Sequence, residues 1–252
     1  MGTARSVGIL TILNVVGAGL SVISTAIVAY FFGTTRTVEI YFAAMGLQAS
    51  VMRLTQTGQI SEIFLPVYHR IKHERGADQA HGAFSIIVNW MILTTLVISV
   101  ALWFLAPMLI RLRVPGFSES DLQMVSAMFR ALIPVTCIQM LVGLVHTLAN
   151  AERWFGSAEA ISVASRVLVI GTIVALAPSL GGWALVVSLW VGNVSVFVGL
   201  VVFVLRRGFR YRFRLRQEGF SAWSVFRKLS ATFGYVGATQ VYVFALDAGL
   251  SM

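Results

Sequence analysis

Charged residues are scarce in this chain. Of its 252 residues only 12% are Asp, Glu, Lys or Arg, against about 25% in an ordinary soluble domain, and 58% are hydrophobic. This scarcity excludes a water-soluble globular protein. Long, nearly uncharged stretches separated by short charged segments are typical of a protein that crosses a membrane several times.

Cysteine is scarcer still. The single Cys137 lies inside an apolar block, which excludes a disulfide framework and a cysteine-based metal site. His69 and His73 are spaced to share a helix face, but no carboxylate completes a zinc motif around them. The chain also lacks a Walker pattern, a glycine-rich phosphate loop and a serine nucleophile elbow. We therefore predict no enzyme activity, no metal and no cofactor.

Basic residues outnumber acidic ones, with 19 Lys and Arg against 10 Asp and Glu, for a net charge of +9. In a soluble chain this excess would suggest nucleic-acid binding. Here the arginines lie between apolar blocks and not on a stripe with stacking aromatic residues, so no nucleic-acid partner is predicted.

Six segments satisfy the requirement of about 20 apolar residues for a membrane-spanning helix. They cover residues 8–32, 40–68, 82–110, 122–150, about 160–176 and 183–205. Pro66 is expected to kink or end the second segment. A seventh apolar run, residues 229–252, is a complete or partial span. The predicted fold is an all-α polytopic membrane helix bundle.

Three regions follow from these spans. Residues 1–205 form a six-helix transmembrane lobe, residues 206–228 a basic cytoplasmic loop, and residues 229–252 the start of a second lobe. A signal peptide is the alternative for residues 8–32, but 25 uncharged residues exceed the usual apolar region of about 7 to 15. We predict a retained span.

The positions of the basic residues predict the orientation. With the N-terminus in the cytoplasm, 13 of the 19 Lys and Arg residues fall on the cytoplasmic side, 3 on the other side and 3 within spans. Because Lys and Arg favour cytoplasmic loops, this distribution predicts a cytoplasmic N-terminus.

The second predicted span is the most polar, since nine of the fifteen residues 48–62 are polar. Arg53, Gln56 and Thr57 share one helix face, whereas Glu62 lies about 180° away. A charge in hydrocarbon costs about 2.5 to 3.5 kcal/mol on insertion scales, so both charges should face other helices or an aqueous cavity. Two interpretations stay open for Arg53: it binds an anionic substrate, whose phosphate suits a guanidinium, or it bonds to a neighbouring helix.

Other polar side chains also lie within predicted spans. Arg130 and Arg166 lie near span ends, where a structural role is favoured over substrate binding, and Asp247 is a candidate partner for one of the arginines. His146 is expected to form a hydrogen bond between helices. Span 8–32 has no charge but many small residues, which favour close helix packing first and cavity lining second.

A basic stretch follows the sixth span and carries six arginines in eleven residues, alternating in part with Phe209, Tyr211, Phe213 and Leu215. Its arginines are Arg206, Arg207, Arg210, Arg212, Arg214 and Arg216. The period of two predicts a short extended segment at the membrane interface, where each arginine is attracted to anionic lipids by about 1 kcal/mol. A membrane-surface anchor is favoured over capture of a phosphorylated lipid headgroup.

A series of short motifs along the chain occurs in an order typical of one family. These motifs are Phe32-Gly33, Glu39, Tyr41-Phe42, Arg53, Gly58, Ser61, Phe64-Leu65-Pro66, Ala106-Pro107, Pro115-Gly116-Phe117, Pro134, the turn 148–155, Gln240 and residues 247–251. This pattern resembles the MviN/MurJ family of lipid-linked oligosaccharide flippases. The resemblance covers nearly the whole chain, and the block from Gly33 to Pro66 is its most specific part.

The resemblance implies a fold of the multidrug/oligosaccharidyl-lipid/polysaccharide exporter type, with two six-helix lobes and a cavity that alternates between the membrane faces. This chain would supply the N-terminal lobe, and the missing C-terminal half or a second chain would complete the cavity. The implied substrate is a polyprenyl-diphosphate-linked sugar such as lipid II, moved across the bacterial inner membrane. Arg53 would engage its pyrophosphate, and Glu39 would act as a gate or structural acid.

The chain departs from the family pattern in the first span, where Ala18 and Ser24 occupy the positions of two arginines. The family's tandem arginine in the second span is Met52-Arg53 here, and its acid after the Phe-Gly turn is Glu39. A polysaccharide or multidrug exporter of the same superfamily is the alternative, as is a truncated membrane scaffold without transport activity.

Overall fold

The computed structural model describes the backbone of residues 3–55 and 57–216, and the side chains of residues 8–52 and 64–216. This part of the chain forms seven α-helices and no strand. They are α1 (Thr3–Phe32), α2 (Arg36–Thr55), α3 (Thr57–Arg75), α4 (Ala77–Arg113), α5 (Glu119–Ala151), α6 (Phe155–Leu180) and α7 (Trp183–Arg206). The predicted all-α membrane fold is confirmed.

Five of these helices, namely α1, α4, α5, α6 and α7, are long and apolar enough to cross a membrane. They contain the first, third, fourth, fifth and sixth predicted spans. The second predicted span covers most of α2 and the first part of α3, which are separated only by Gln56, outside the described residues; both helices are less hydrophobic than these five. The polar run 48–62 accounts for this difference.

Pro66 lies inside α3 and does not end it, because the helix continues to Arg75. A proline removes only one backbone donor, and on either side of it Phe64 and Tyr68 are fully buried. Their packing holds the helix together across the missing hydrogen bond. The predicted seventh span, including Asp247, lies outside the described residues.

The helix bundle has two ends. At one end, which we call the basic end, α3, α5 and α7 end and α4 and α6 begin. We call the other end the opposite end. Gly76 turns the chain between α3 and α4 at the basic end with φ of 87°, a conformation that favours glycine. At the opposite end the Ser118 side chain caps α5 by accepting from the Asp121 backbone N–H.

Helix α5 lies at the centre of the bundle and contacts α2, α3, α4, α6 and α7. One apolar cluster packs around it near each end, and the Trp190 indole of α7 donates to the Ala131 carbonyl at 3.0 Å. Helix α1 packs principally against α6. The face of α1 away from α6 is therefore left exposed.

Small residues set the spacing of α6 and α7. A Cβ added at Gly192 would lie 2.4 Å from a Val169 methyl, and one at Gly199 would lie 2.7 Å from an Ile161 methyl. In lipid, helices associate through such close packing, since the surrounding chains are as apolar as the side chains.

Candidate functional site

Arg166 of α6 reaches across to the backbone of α1. Its Nη1 donates to the Gly17 carbonyl at 2.5 Å and to the Ser21 hydroxyl at 3.1 Å. A Cβ at position 17 would lie 2.8 Å from Nη1, so glycine makes this approach possible. The structure thus gives Arg166 the carbonyl partner that a structural role requires.

The same contact also places a cation on a polar stripe of α1. The Ser21 hydroxyl donates to the Gly17 carbonyl, and the Thr25 hydroxyl to the Ser21 carbonyl, both at 3.0 Å. Ser21 and Thr25 are exposed, and Arg166 is half-buried. The guanidinium therefore lies at the border between the α1–α6 contact and an open surface.

Arg130 lies on a different side of the bundle. Its Nε donates to the Trp103 carbonyl of α4 at 3.3 Å, and its guanidinium lies 5.6 Å from the centre of the Trp103 ring. It borders a cavity of about 270 Å³ between α4 and α5, together with Ser126 and the ion pair of Arg111 and Glu119. Because Arg166 contacts α1 and Arg130 contacts α4, the structure does not bring these two predicted residues together.

Glu39 lies in the first turn of α2 at the opposite end. It forms an ion pair with Arg36 at 2.6 Å, and Arg36 also pairs with Asp121 of α5 at 2.9 Å and lies 3.9 Å from the centre of the Phe117 ring. These hydrogen bonds, first to Glu39 and then to Asp121, raise the pKa of Arg36. Glu39 thus belongs to an exposed ionic contact between α2 and α5.

The polar face of the second predicted span falls largely outside the described residues. Gln56 lies outside the described residues, and so do the side chains of Arg53, Thr57 and Glu62. Thr57 is the first residue of α3.

The basic end contains an ionic cluster that the sequence alone did not indicate. Glu152, just after α5, accepts from the Tyr68 hydroxyl and the Lys72 ammonium of α3, each at 2.6 Å. Burial would raise the pKa of Glu152, but the hydrogen bonds from Lys72 and Tyr68 outweigh it and hold that pKa below its usual range. The cluster joins the ends of α3 and α5.

The basic stretch leaves α7 and runs along α4 as a non-helical segment. The apolar residues that alternate with its arginines do not all face the protein, since Phe209 is buried whereas Phe213 is 78% exposed. Arg207 lies over the Trp154 and Phe203 rings at 5.8 and 5.2 Å. The segment is therefore packed against the protein and not only against a membrane surface.

Asn89 of α4 fixes this segment. Its Nδ2 donates to the Arg214 carbonyl at 2.8 Å, and its Oδ1 accepts from the Tyr211 hydroxyl. Asn89 is 2% exposed, and a buried amide needs such partners. An asparagine in an uncharged span was the available sequence signal, but its partners could not be read from the sequence.

His146 forms the expected hydrogen bond between helices, with its Nε2 at 3.1 Å from the Ser162 hydroxyl of α6. Within the part of the chain that the structure describes, no group of three or more His, Cys, Asp or Glu side chains could hold a metal ion.

Comparisons with known proteins agree with the resemblance noted in the sequence. A family model described as lipid II flippase MurJ matches residues 28–246. A curated probable lipid II flippase MurJ of Buchnera aphidicola subsp. Baizongia pistaciae (strain Bp) is 21% identical over 157 residues, which cover 62% of this chain and 31% of that protein.

A solved structure of lipid II flippase MurJ in an inward closed conformation has the same fold, with a TM-score of 0.70 at 16% identity. The match covers 92% of this chain and 47% of the solved chain. The chain thus spans less than half the length of the solved flippase and less than a third of the curated relative.

Proposed function

This chain belongs to the MurJ lipid II flippase family, whose model matches residues 28–246, and on that premise we propose that it contributes the N-terminal lobe of a lipid-linked sugar flippase. The proposed substrate is a polyprenyl-diphosphate-linked sugar such as lipid II, moved across the bacterial inner membrane by alternating access. A second lobe, from the rest of a longer chain or from a second chain, completes the cavity.

The contact of Arg166 with α1 carries this proposal. A flippase for a pyrophosphate headgroup needs cations on a cavity wall within the membrane, since guanidinium groups match phosphate geometry. The first span carries Ala18 and Ser24 where the family resemblance leads us to expect arginines. Arg166 brings a guanidinium from α6 to Gly17, next to Ala18, and to Ser21, between Ala18 and Ser24.

The exposed face of α1 is the part of this lobe that lines the proposed cavity. Helix α1 packs principally against α6, and Ser21 and Thr25 remain exposed. Arg53 on the second span is proposed as a second phosphate ligand, with Gln56 and Thr57 on the same helix face. Arg130 contacts α4 on another side of the bundle and is assigned to structure.

The proposed orientation has the N-terminus and the basic end in the cytoplasm. The basic end holds the charged loops that follow α3, α5 and α7, whereas among the described residues the basic side chains at the opposite end are Arg36, Arg111 and Arg113. An excess of Lys and Arg at one end supports a cytoplasmic location for that end.

The test measures translocation of fluorescent lipid II by the full-length protein in vesicles. Arg166→Gln keeps a neutral hydrogen-bond donor at this position but removes the charge, so transport should fall about tenfold or more, because a hydrogen bond to a charged group contributes about 1.5 to 3 kcal/mol. Arg53→Ala should also reduce transport. The matched control is Arg111→Gln, whose arginine is exposed and paired with Glu119 at the opposite end.

Transport at the wild-type rate in Arg166→Gln would show that this arginine only joins α6 to α1, and the same result in Arg53→Ala would remove Arg53 from the mechanism. If the protein does not transport lipid-linked sugars but exports drugs when an ion gradient is imposed, it is instead a multidrug exporter.

A further inference from the structure

An apolar groove of about 300 Å³ lies between α4, α5 and α7 near the basic end. Its floor is buried and its rim is exposed. The floor includes Val145, Leu148 and Val204, and the rim includes Ile92, Leu205 and Tyr211. Its volume is at the lower end of the range for ligand pockets, about 300 to 1,000 Å³.

The basic segment forms one wall of this groove. Phe209 and Tyr211 both line it, and the Phe209 ring packs against the Phe84 ring with centroids 5.6 Å apart. Asn89 holds Tyr211 and the Arg214 backbone in place. The wall is therefore fixed to α4 by specific hydrogen bonds.

The segment that forms the wall is rich in positive charge. Residues 206–216 carry six arginines, and Arg210 and Arg212 lie 4.0 and 3.9 Å from the carboxylate of Asp78. Among the described residues, Asp78 is the one carboxylate paired with this segment, so most of its charge is not neutralised there. An apolar groove whose wall belongs to an arginine-rich segment is complementary to an amphiphile with an apolar chain and an anionic, phosphate-containing headgroup.

We propose that this groove binds one acyl chain of an anionic phospholipid of the surrounding leaflet, with the lipid phosphate held by arginines of the segment 206–216. The bound lipid packs against Tyr211 and Phe209 and so stabilises the connection that follows α7. This site is distinct from the α1 surface proposed for the transported substrate, and its occupancy does not depend on transport.

The test is native mass spectrometry of the full-length protein in a neutral detergent, titrated with phosphatidylglycerol or with phosphatidylcholine of the same chains. The wild type should bind phosphatidylglycerol more tightly. Val201→Trp fills the groove and should weaken this binding at least tenfold. Val198→Trp is the matched control, since Val198 is exposed and lies one turn earlier on α7 outside the groove lining.

The charge is tested separately. Arg210→Gln with Arg212→Gln should weaken phosphatidylglycerol binding about 25-fold, at about fivefold for each arginine, and leave phosphatidylcholine binding unchanged. Arg111→Gln with Arg113→Gln at the opposite end is the control. If Val201→Trp does not fold, Leu205→Trp takes its place. Leu205 is an exposed rim residue, so this substitution obstructs the groove without changing the core.

Three outcomes would overturn the proposal. Wild-type binding in a folded groove-filling variant would show that the arginines attract lipid without the groove. Unchanged preference in the arginine variant would show that the occupant is neutral. Complete displacement of phosphatidylglycerol by an equal concentration of undecaprenyl phosphate would assign the groove to the polyprenyl chain. None of these results would affect the proposed transport function.

Discussion

Removal of the Glu152 carboxylate is expected to weaken the join between α3 and α5. In Glu152→Ala the fully buried Tyr68 loses the acceptor of its hydroxyl, which costs about 1 to 3 kcal/mol for a buried unsatisfied group. The half-exposed Lys72 loses an ion pair, which adds at most about 1 kcal/mol. The free energy of unfolding should therefore fall by about 1 to 4 kcal/mol, measured by reversible SDS unfolding in mixed micelles.

Two further variants isolate the cause. Adding Tyr68→Phe to Glu152→Ala removes the buried hydroxyl as well as its acceptor, and it should restore about 1 kcal/mol or more. Glu119→Ala is the matched control, because Glu119 also pairs with a basic residue at 3.1 Å but its side chain is 73% exposed. If Glu152→Ala is no more destabilising than Glu119→Ala, the assignment of the energy to the buried hydroxyl is wrong.

Three other results are expected. The lowered pKa of Glu152 contributes stability that is present above its unfolded pKa of about 4.5 and is lost as the pH falls through the folded value, so acid should destabilise the wild type more than Glu152→Gln in the same unfolding assay. Asn89→Ala should free the segment after α7, and limited trypsin digestion should then cleave at residues 210–216 faster than in the wild type. Gly182→Ala places a Cβ 2.2 Å from a Thr37 methyl and should cost about 1 to 3 kcal/mol, whereas Gly171→Ala meets no atom within 4 Å and should not destabilise.

The sequence predicted the membrane spans well because span formation depends on local properties. The length and hydropathy of a run set its transfer free energy into lipid, whatever the rest of the chain does. The second span is the least hydrophobic of the six because its run 48–62 mixes polar and apolar residues. It covers most of α2 and the first part of α3, which are separated only by Gln56, outside the described residues. Pro66 was expected to kink or end the second span; it does not end α3, because tertiary packing of Phe64 and Tyr68 outweighs the loss of one backbone hydrogen bond.

The candidate site was predicted only as a set of residue types. The sequence identified Arg130 and Arg166 as unusual charges within spans but could not separate their roles. Their partners lie on α4 and α1, and the choice depends on which helices are neighbours and how each is rotated. The roles of Glu152 and Asn89 were missed for the same reason, since their partners lie on other parts of the chain.

The sequence by itself determined an all-helical membrane protein, the approximate positions of most spans, and the family to which the chain belongs. These follow from hydropathy, from the distribution of basic residues and from motifs within short stretches. The tertiary structure decided that Arg166 meets Gly17 across 149 residues, that Tyr68 and Lys72 share Glu152, and that the basic segment forms the wall of an apolar groove. Such contacts depend on the close packing of helices far apart in the chain, and no local pattern of residues specifies that packing.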